Sequence, residues 1–213
     1  MVLPTTEQVG ALLGAADAEF APFVALAAFA GLRLGEAAAV QVGDVEFLRR
    51  TLRVTRQVQR AGQGTVEIRA PKYGSERTVY LADDLVTMLA ELVARRGITD
   101  DSLAWLFVGV GDNPPHQNTV GHRWRQTCRR AGVAGFTLHD LRHFYASGLI
   151  AAGCDVVTVQ RALGHSKATT TLDTYAHLWP TAEDRTRAAA ADLMASASVA
   201  DYLRTAGEVW RCD

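Results

Sequence analysis

Between Asp44 and Leu81 the hydrophobic period of the chain changes, and this change constrains its fold more than any other feature. Upstream, Thr5 or Thr6 followed by Glu7 opens an Ala/Leu-rich run to about Ala16, and Phe20 to Ala30 form a second, apolar run; both have the spacing of capped core helices. Gly31-Leu-Arg-Leu-Gly35 interrupts them, and Glu36 to Val40 add one or two helical turns. Then Leu52, Val54, Val58, Val66, Ile68 and Thr78 to Leu81 fall in β-rich runs separated by turn chemistry at Arg60-Ala-Gly-Gln-Gly64 and Lys72-Tyr-Gly-Ser75. From Asp83 the helical period returns over Asp83–Arg96, about Gln117–Ala131, His139–Ala152, Asp155–Leu163 and Ala168–Leu178, with an Ala-rich stretch after Thr181. Gly97, Gly132, Gly153 and Gly164 stand where these helices should stop. The pattern predicts an α+β fold, mainly α-helical, with a small antiparallel β-sheet inserted after the first helices, and neither internal repeats nor an interdomain linker.

The 213 residues are 48% hydrophobic and 21% charged, the composition of a chain that buries a core. The longest apolar stretch, Ala21 to Leu32, is too short to span a bilayer, and the N-terminus lacks a basic-then-apolar signal, so a cytoplasmic protein without membrane insertion is expected. Cys128, Cys154 and Cys212 are odd in number and widely spaced, which points to reduced, mostly buried thiols rather than disulfides or a zinc cage. The net charge of -1 conceals segregation: residues 1–48 carry -5, 49–80 carry +6, 81–120 carry -4 and 121–143 carry +4. Local charge is what meets a phosphate. Twenty of the 22 basic residues are Arg, which suits bidentate phosphate contacts and is equally produced by genomic base composition.

Several residues could carry chemistry. His139, Arg142 and His143 lie at i, i+3 and i+4 and share one helical face. A zinc site there lacks the Glu of HExxH and a third ligand, and the Arg would repel a metal. Gly164 ends a helix and places His165 at the start of a loop; ten residues on, Tyr175 sits on a predicted helix with its phenol available as a nucleophile. Arg33 lies between two leucines at a helix break, with Glu36 three residues on to hold it, and Lys72 occupies a hairpin turn. Taken singly, each also fits packing or ordinary solvation.

Taken together, in this order and spacing, the set resembles the tyrosine recombinase (phage integrase) family, whose members show an Arg in a GLR-type motif, a hairpin Lys, HxxR, LGH and a Tyr about ten residues later. Here these are Arg33, Lys72, His139 with Arg142, His165 and Tyr175, within stretches similar to the family from about Thr5 to Thr186. The resemblance implies a catalytic domain over residues 1–186 and a C-terminal segment over 187–213, a helix packing on a neighbouring protomer or a flexible tail. It further implies that Arg33 and Arg142 clamp nonbridging phosphate oxygens, His165 donates another hydrogen bond, His139 assists proton movement at Tyr175, Lys72 protonates the leaving 5′ oxygen, and Glu36 orients the site. A covalent 3′-phosphotyrosyl intermediate would keep the bond energy for rejoining, with no metal or other cofactor. A phenol has a pKa of about 10, so only about one in a thousand is ionised at pH 7; the missing three units or so, roughly 4 kcal/mol, can be provided in part by neighbouring cations.

Double-stranded DNA is the implied partner, with Arg49, Arg56, Arg77, Arg123 and Arg125 as backbone contacts and binding that weakens with salt. A homotetramer on DNA, a monomer without it and association with the nucleoid are expected. Family members usually carry a separate helical DNA-clamping domain of about a hundred residues before this one, and the resemblance leads to the expectation that these 213 residues do not include it. Two other readings share the chemistry or the ligand: a fragment that binds DNA but is inactive without the clamping domain, and a type IB topoisomerase-like strand transferase.

Overall fold

The computed structural model describes residues 2–61, 65–179 and 182–197. Contacts divide the chain into two units, Met1–Thr174 and Tyr175–Asp213.

In the first unit, α1 (Thr6–Ala15) starts from a capping box in which Thr5 Oγ1 accepts from the Gln8 N–H and Gln8 Oε1 accepts from the Thr5 N–H. The next helix, α2 (Ala21–Ala30), is apolar on every side and buried on nearly every side, as a central helix must be. It packs on α1, on α4 (Asp83–Arg96) and most extensively on α6 (Leu138–Ala151), while α5 (Gln117–Ala131) covers α1. Phe23, Leu26, Leu89, Leu92 and Leu141 are at most 1% exposed in this core; burying each such side chain is worth about 1.5–3 kcal/mol. The short α3 (Leu34–Ala38) follows the Gly31–Arg33 break and touches the β-region.

The β-rich stretch forms two small antiparallel sheets rather than one. β1 (Val45–Glu46), β2 (Thr51–Val54) and β5 (Arg77–Tyr80) make the first, with Leu52 opposite both Val45 and Val79 and Val54 opposite Arg77. β3 (Gln57–Arg60) and β4 (Val66–Arg69) make the second, with Val58 opposite Ile68. The turn bearing Lys72 therefore joins two sheets and does not close the expected hairpin. Leu52, Val54 and Val79, all 3% exposed or less, turn one face of the first sheet into the core, and their burial selects β2 rather than β4 as the partner of β5.

Helix ends follow the expected signals. Asp155 caps α7 (Val156–Leu163) by accepting from the Val157 and Thr158 N–H groups, at 2.8 and 3.0 Å, and Gly97, Gly132 and Gly164 end α4, α5 and α7 in the left-handed conformation. The last helix of this unit, α8 (Ala168–Tyr175), stops earlier than the sequence suggests; a 3₁₀ turn, Ala176–Leu178, replaces its final turn. Cys128 and Cys154 are each partly buried, more open than expected.

The second unit contains that 3₁₀ turn and α9 (Ala182–Ser196), whose residues from Arg185 onward are exposed. The rest of the C-terminal segment, residues 198–213 with Cys212, lies outside the described residues. No helix among the described residues is long and apolar enough to cross a membrane.

Candidate active site

A buried carboxylate organises the first unit's candidate residues. Arg33 is the N-cap of α3; its backbone N–H donates to Glu36 Oε2 at 2.9 Å and its Nη1 to Glu36 Oε1 at 2.7 Å. Arg77 reaches the same group from β5, with Nη2 2.9 Å from Oε2 and Nη1 3.2 Å from Oε1. Burial alone would push Glu36, 2% exposed, upward, but the hydrogen bonds and charge of Arg77 and then Arg33 outweigh it and hold the carboxyl below the usual carboxylate range. Glu36 is an anion that fixes two cations.

Two guanidiniums then tie this corner to the end of α7. Arg77 Nε donates to the Ala162 carbonyl at 3.0 Å, and Arg142 donates from Nη1 to the Gly31 carbonyl and from Nη2 to the Leu163 carbonyl at 2.5 Å. Carbonyls in a helix's last turn lack intrahelical partners and carry the negative end of its dipole, so cations are what they accept best. Gly164, at φ +65°, then reverses the chain; a Cβ there would lie 2.9 Å from both Cδ and Nη1 of Arg77, so the position needs glycine for its φ and for its space.

His165 follows immediately. Its N–H donates to the Gln160 carbonyl at 3.1 Å, its carbonyl accepts from Gln160 Nε2 at 3.0 Å, and its Nδ1 lies 2.9 Å from Thr171 Oγ1. Burial, followed by the charges of Arg142, Arg33, Arg77 and His143, pushes the imidazole down to about 4. It is therefore neutral at pH 7. His139 stands in the first turn of α6, set by a capping interaction in which Asp140 Oδ2 accepts from the Thr137 N–H at 2.7 Å and from Thr137 Oγ1 at 2.8 Å. Burial and Arg142, with Arg33 adding and Asp140 opposing, lower its pKa as well. His143 meets the His139 ring edge-on at 4.6 Å.

Arg33 and Arg142 thus act by their charge on both His139 and His165, and Arg33 is itself held by Glu36. Lys72 is exposed at the head of a 3₁₀ turn, Lys72–Gly74, and Ser75, which closes it, accepts from Arg33 Nη1 at 3.3 Å. Tyr175, the last residue of α8 and the first of the second unit, is 2% exposed. A cavity of about 810 Å³ opens beside the cluster, walled by Arg77, Gly164 and His165 and by Phe29, Tyr145 and Leu149. Arg33, His139 and Arg142 are not in its wall, so the cluster meets it only along one edge.

Of the five arginines expected to face DNA, Arg49 and Arg125 are exposed. Arg56 pairs with buried Asp44 at 2.5 Å, and Arg123 pairs with Asp17 and lies over the Phe20 ring at 4.8 Å. Arg77 requires a correction: its side chain is 6% exposed and its donors are spent inside the protein. The alternation of β5 carried the signal, because Arg77 shares the inward face with Val79 two residues on. Thr171, buried against His165, was not singled out from the sequence, which gives no local cue to a contact between a loop and a helix side chain.

Comparison with known proteins bears on this geometry. Residues 5–181 match the phage integrase family. The chain is 28% identical over 152 residues to Transposase A from transposon Tn554 of Staphylococcus aureus, covering 70% of this chain and 40% of that protein. It is 31% identical over 149 residues to tyrosine recombinase XerD of Corynebacterium glutamicum, covering 70% and 44% respectively. The chain thus spans less than half the length of these relatives. Among solved structures, the Tn1549 transposon integrase in complex with a circular intermediate DNA superposes with a TM-score of 0.75 at 20% identity, over 90% of this chain and 65% of that one. The catalytic domain of bacteriophage HP1 integrase gives 0.62 at 19% identity, over 86% and 92%. The fold is the one these proteins share.

Proposed function

Because this chain belongs to the phage integrase family, we propose that it is the catalytic domain of a site-specific recombinase that cuts and rejoins DNA through Tyr175. The phenolic oxygen attacks the scissile phosphorus, the bond to the 5′ oxygen breaks, and a 3′-phosphotyrosyl bond forms. His139 takes up the phenol proton and Lys72 delivers one to the departing 5′ oxygen; attack by a 5′-hydroxyl on the phosphotyrosine reverses the step and returns the phenol. Arg33 and Arg142 compensate the charge that grows on the phosphorane, and His165 donates to a nonbridging oxygen. Exposed Arg49 and Arg125 contact the DNA backbone, and the assembly on DNA is a tetramer. The observation that carries the reading is that the charges of Arg33 and Arg142 both act on His139 and on His165, while Glu36 fixes Arg33.

The test is a denaturing gel on nicked suicide DNA bearing the element's attachment site. The expected result is a covalent adduct formed by the chain and lost in Tyr175→Phe, with noncovalent binding retained. A second reading, DNA binding without cleavage by the chain alone, is favoured by one observation: Arg142 is 2% exposed and both its terminal nitrogens bond backbone carbonyls. Binding without any adduct would select it, and sequence-independent relaxation of supercoiled DNA would select a topoisomerase instead.

A further inference from the structure

Thr171 lies on α8 with no exposed surface, and its hydroxyl is 2.9 Å from Nδ1 of His165. The pair can share a proton in two ways. If Nδ1 carries the hydrogen and donates, the hydroxyl's own proton must find another acceptor, and none is present among the described residues; a buried donor left in that state bears its full desolvation cost. If the hydroxyl donates to Nδ1, every buried polar atom of the pair is satisfied and the ring hydrogen resides on Nε2. The charged and titratable groups acting on the ring, Arg142, Arg33, Arg77 and His143, disfavour a second ring proton, so the choice is between two neutral tautomers.

We propose that Thr171 is a positioning residue, which fixes His165 in the Nε2–H tautomer so that its single ring donor is presented to a nonbridging oxygen of the scissile phosphate. The substrate half of this inference rests on the recombinase reading above; the tautomer half does not. With the opposite tautomer, an acceptor lone pair would meet the phosphate and repel it.

The experiment is a long-range ¹H–¹⁵N correlation spectrum of the full chain, with His165 assigned by its loss in His165→Gln, followed by adduct formation on suicide DNA. The wild-type chain and Thr171→Ser should show the Nε2–H pattern at pH 7, and Thr171→Val a mixture of tautomers. Thr171→Val should form the Tyr175 adduct about tenfold more slowly, with Thr171→Ser restoring the rate to within about twofold. An Nδ1–H pattern in the wild-type chain overturns the inference, as does an unchanged pattern in folded Thr171→Val. Should Thr171→Val fail to fold, the wild-type and Thr171→Ser spectra decide. The Nε2–H pattern in the wild-type chain and its loss in Thr171→Val, in a chain that forms no adduct, uphold the role of Thr171 and count against the recombinase reading alone.

Discussion

Replacing Arg77 by methionine separates an internal strut from a DNA contact. Methionine keeps the unbranched stem and removes every N–H donor. With them go the bonds to Glu36 at 2.9 and 3.2 Å, to the Ala162 carbonyl at 3.0 Å and to the Ser75 carbonyl at 3.3 Å. Glu36, with a side chain 1% exposed, is left to Arg33, whose own side chain is 29% exposed. Removing one partner of a buried ion pair costs about 3–5 kcal/mol, because the other charge is stranded. The bonds that Arg33 keeps place the loss at the lower end, about 3 kcal/mol, so at a urea m-value of about 2 kcal/mol/M the midpoint falls by about 1.5 M. An exposed arginine behaves differently: its loss shifts stability by no more than about 0.5 kcal/mol, and it lowers the slope of log Kobs against log salt by about 0.9. The expected pair of results for Arg77→Met is a large midpoint shift with an unchanged salt slope. Adding Glu36→Gln should cost less than the two single losses combined, because neither charge is then stranded. A midpoint within about 0.3 M of wild type, accompanied by a slope reduced by about 0.9, would refute the internal role.

Two other outcomes test the same corner. Gly164→Ala combines a left-handed backbone with a Cβ 2.9 Å from the Arg77 side chain, so it should lose about 2–4 kcal/mol; differential scanning fluorimetry should show a melting temperature lower by about 5–15 °C, and an unshifted melt would mean the turn is not held as described. His165 titrates at about 4 in the folded chain and at its ordinary 6.5 when unfolded, so across that window the unfolded state binds the extra proton. Its contribution to stability is complete above pH 6.5 and is lost as the pH falls toward 4. Urea midpoints recorded between these limits should fall more steeply for the wild-type chain than for His165→Asn, and parallel curves would contradict the assignment.

Local physics made much of the fold readable. The switch of period at Asp44 located the β-region, and Asp155 and Gly164 marked the two ends of α7, because caps and glycine turns act within a few residues. Strand partners were not readable in the same way: β4 and β5 are neighbours in sequence, yet burial of Val79 beside Leu52 and Val54 pairs β5 with β2. The candidate residues stand in the sequence as a spaced set, and the spacing of Arg33 and Glu36 anticipates their local pair. Arg77 was misplaced because its charge argued for the surface, whereas the carboxylate that permits its burial lies 41 residues away. Thr171 was missed for a related reason, since its contact with His165 depends on how a loop folds back on the helix that follows it.

The bonds that close the cationic corner span long stretches of chain: 111 residues from Arg142 to Gly31 and 85 from Arg77 to Ala162. During synthesis at about 5–20 residues per second, Arg33 is therefore made several seconds before the helix end that anchors its neighbours exists. A nascent or partly unfolded chain holds these arginines as scattered, solvated charges. The arrangement of these charges arises only with the final tertiary closure, so a molecule caught halfway carries the same cations without their geometry.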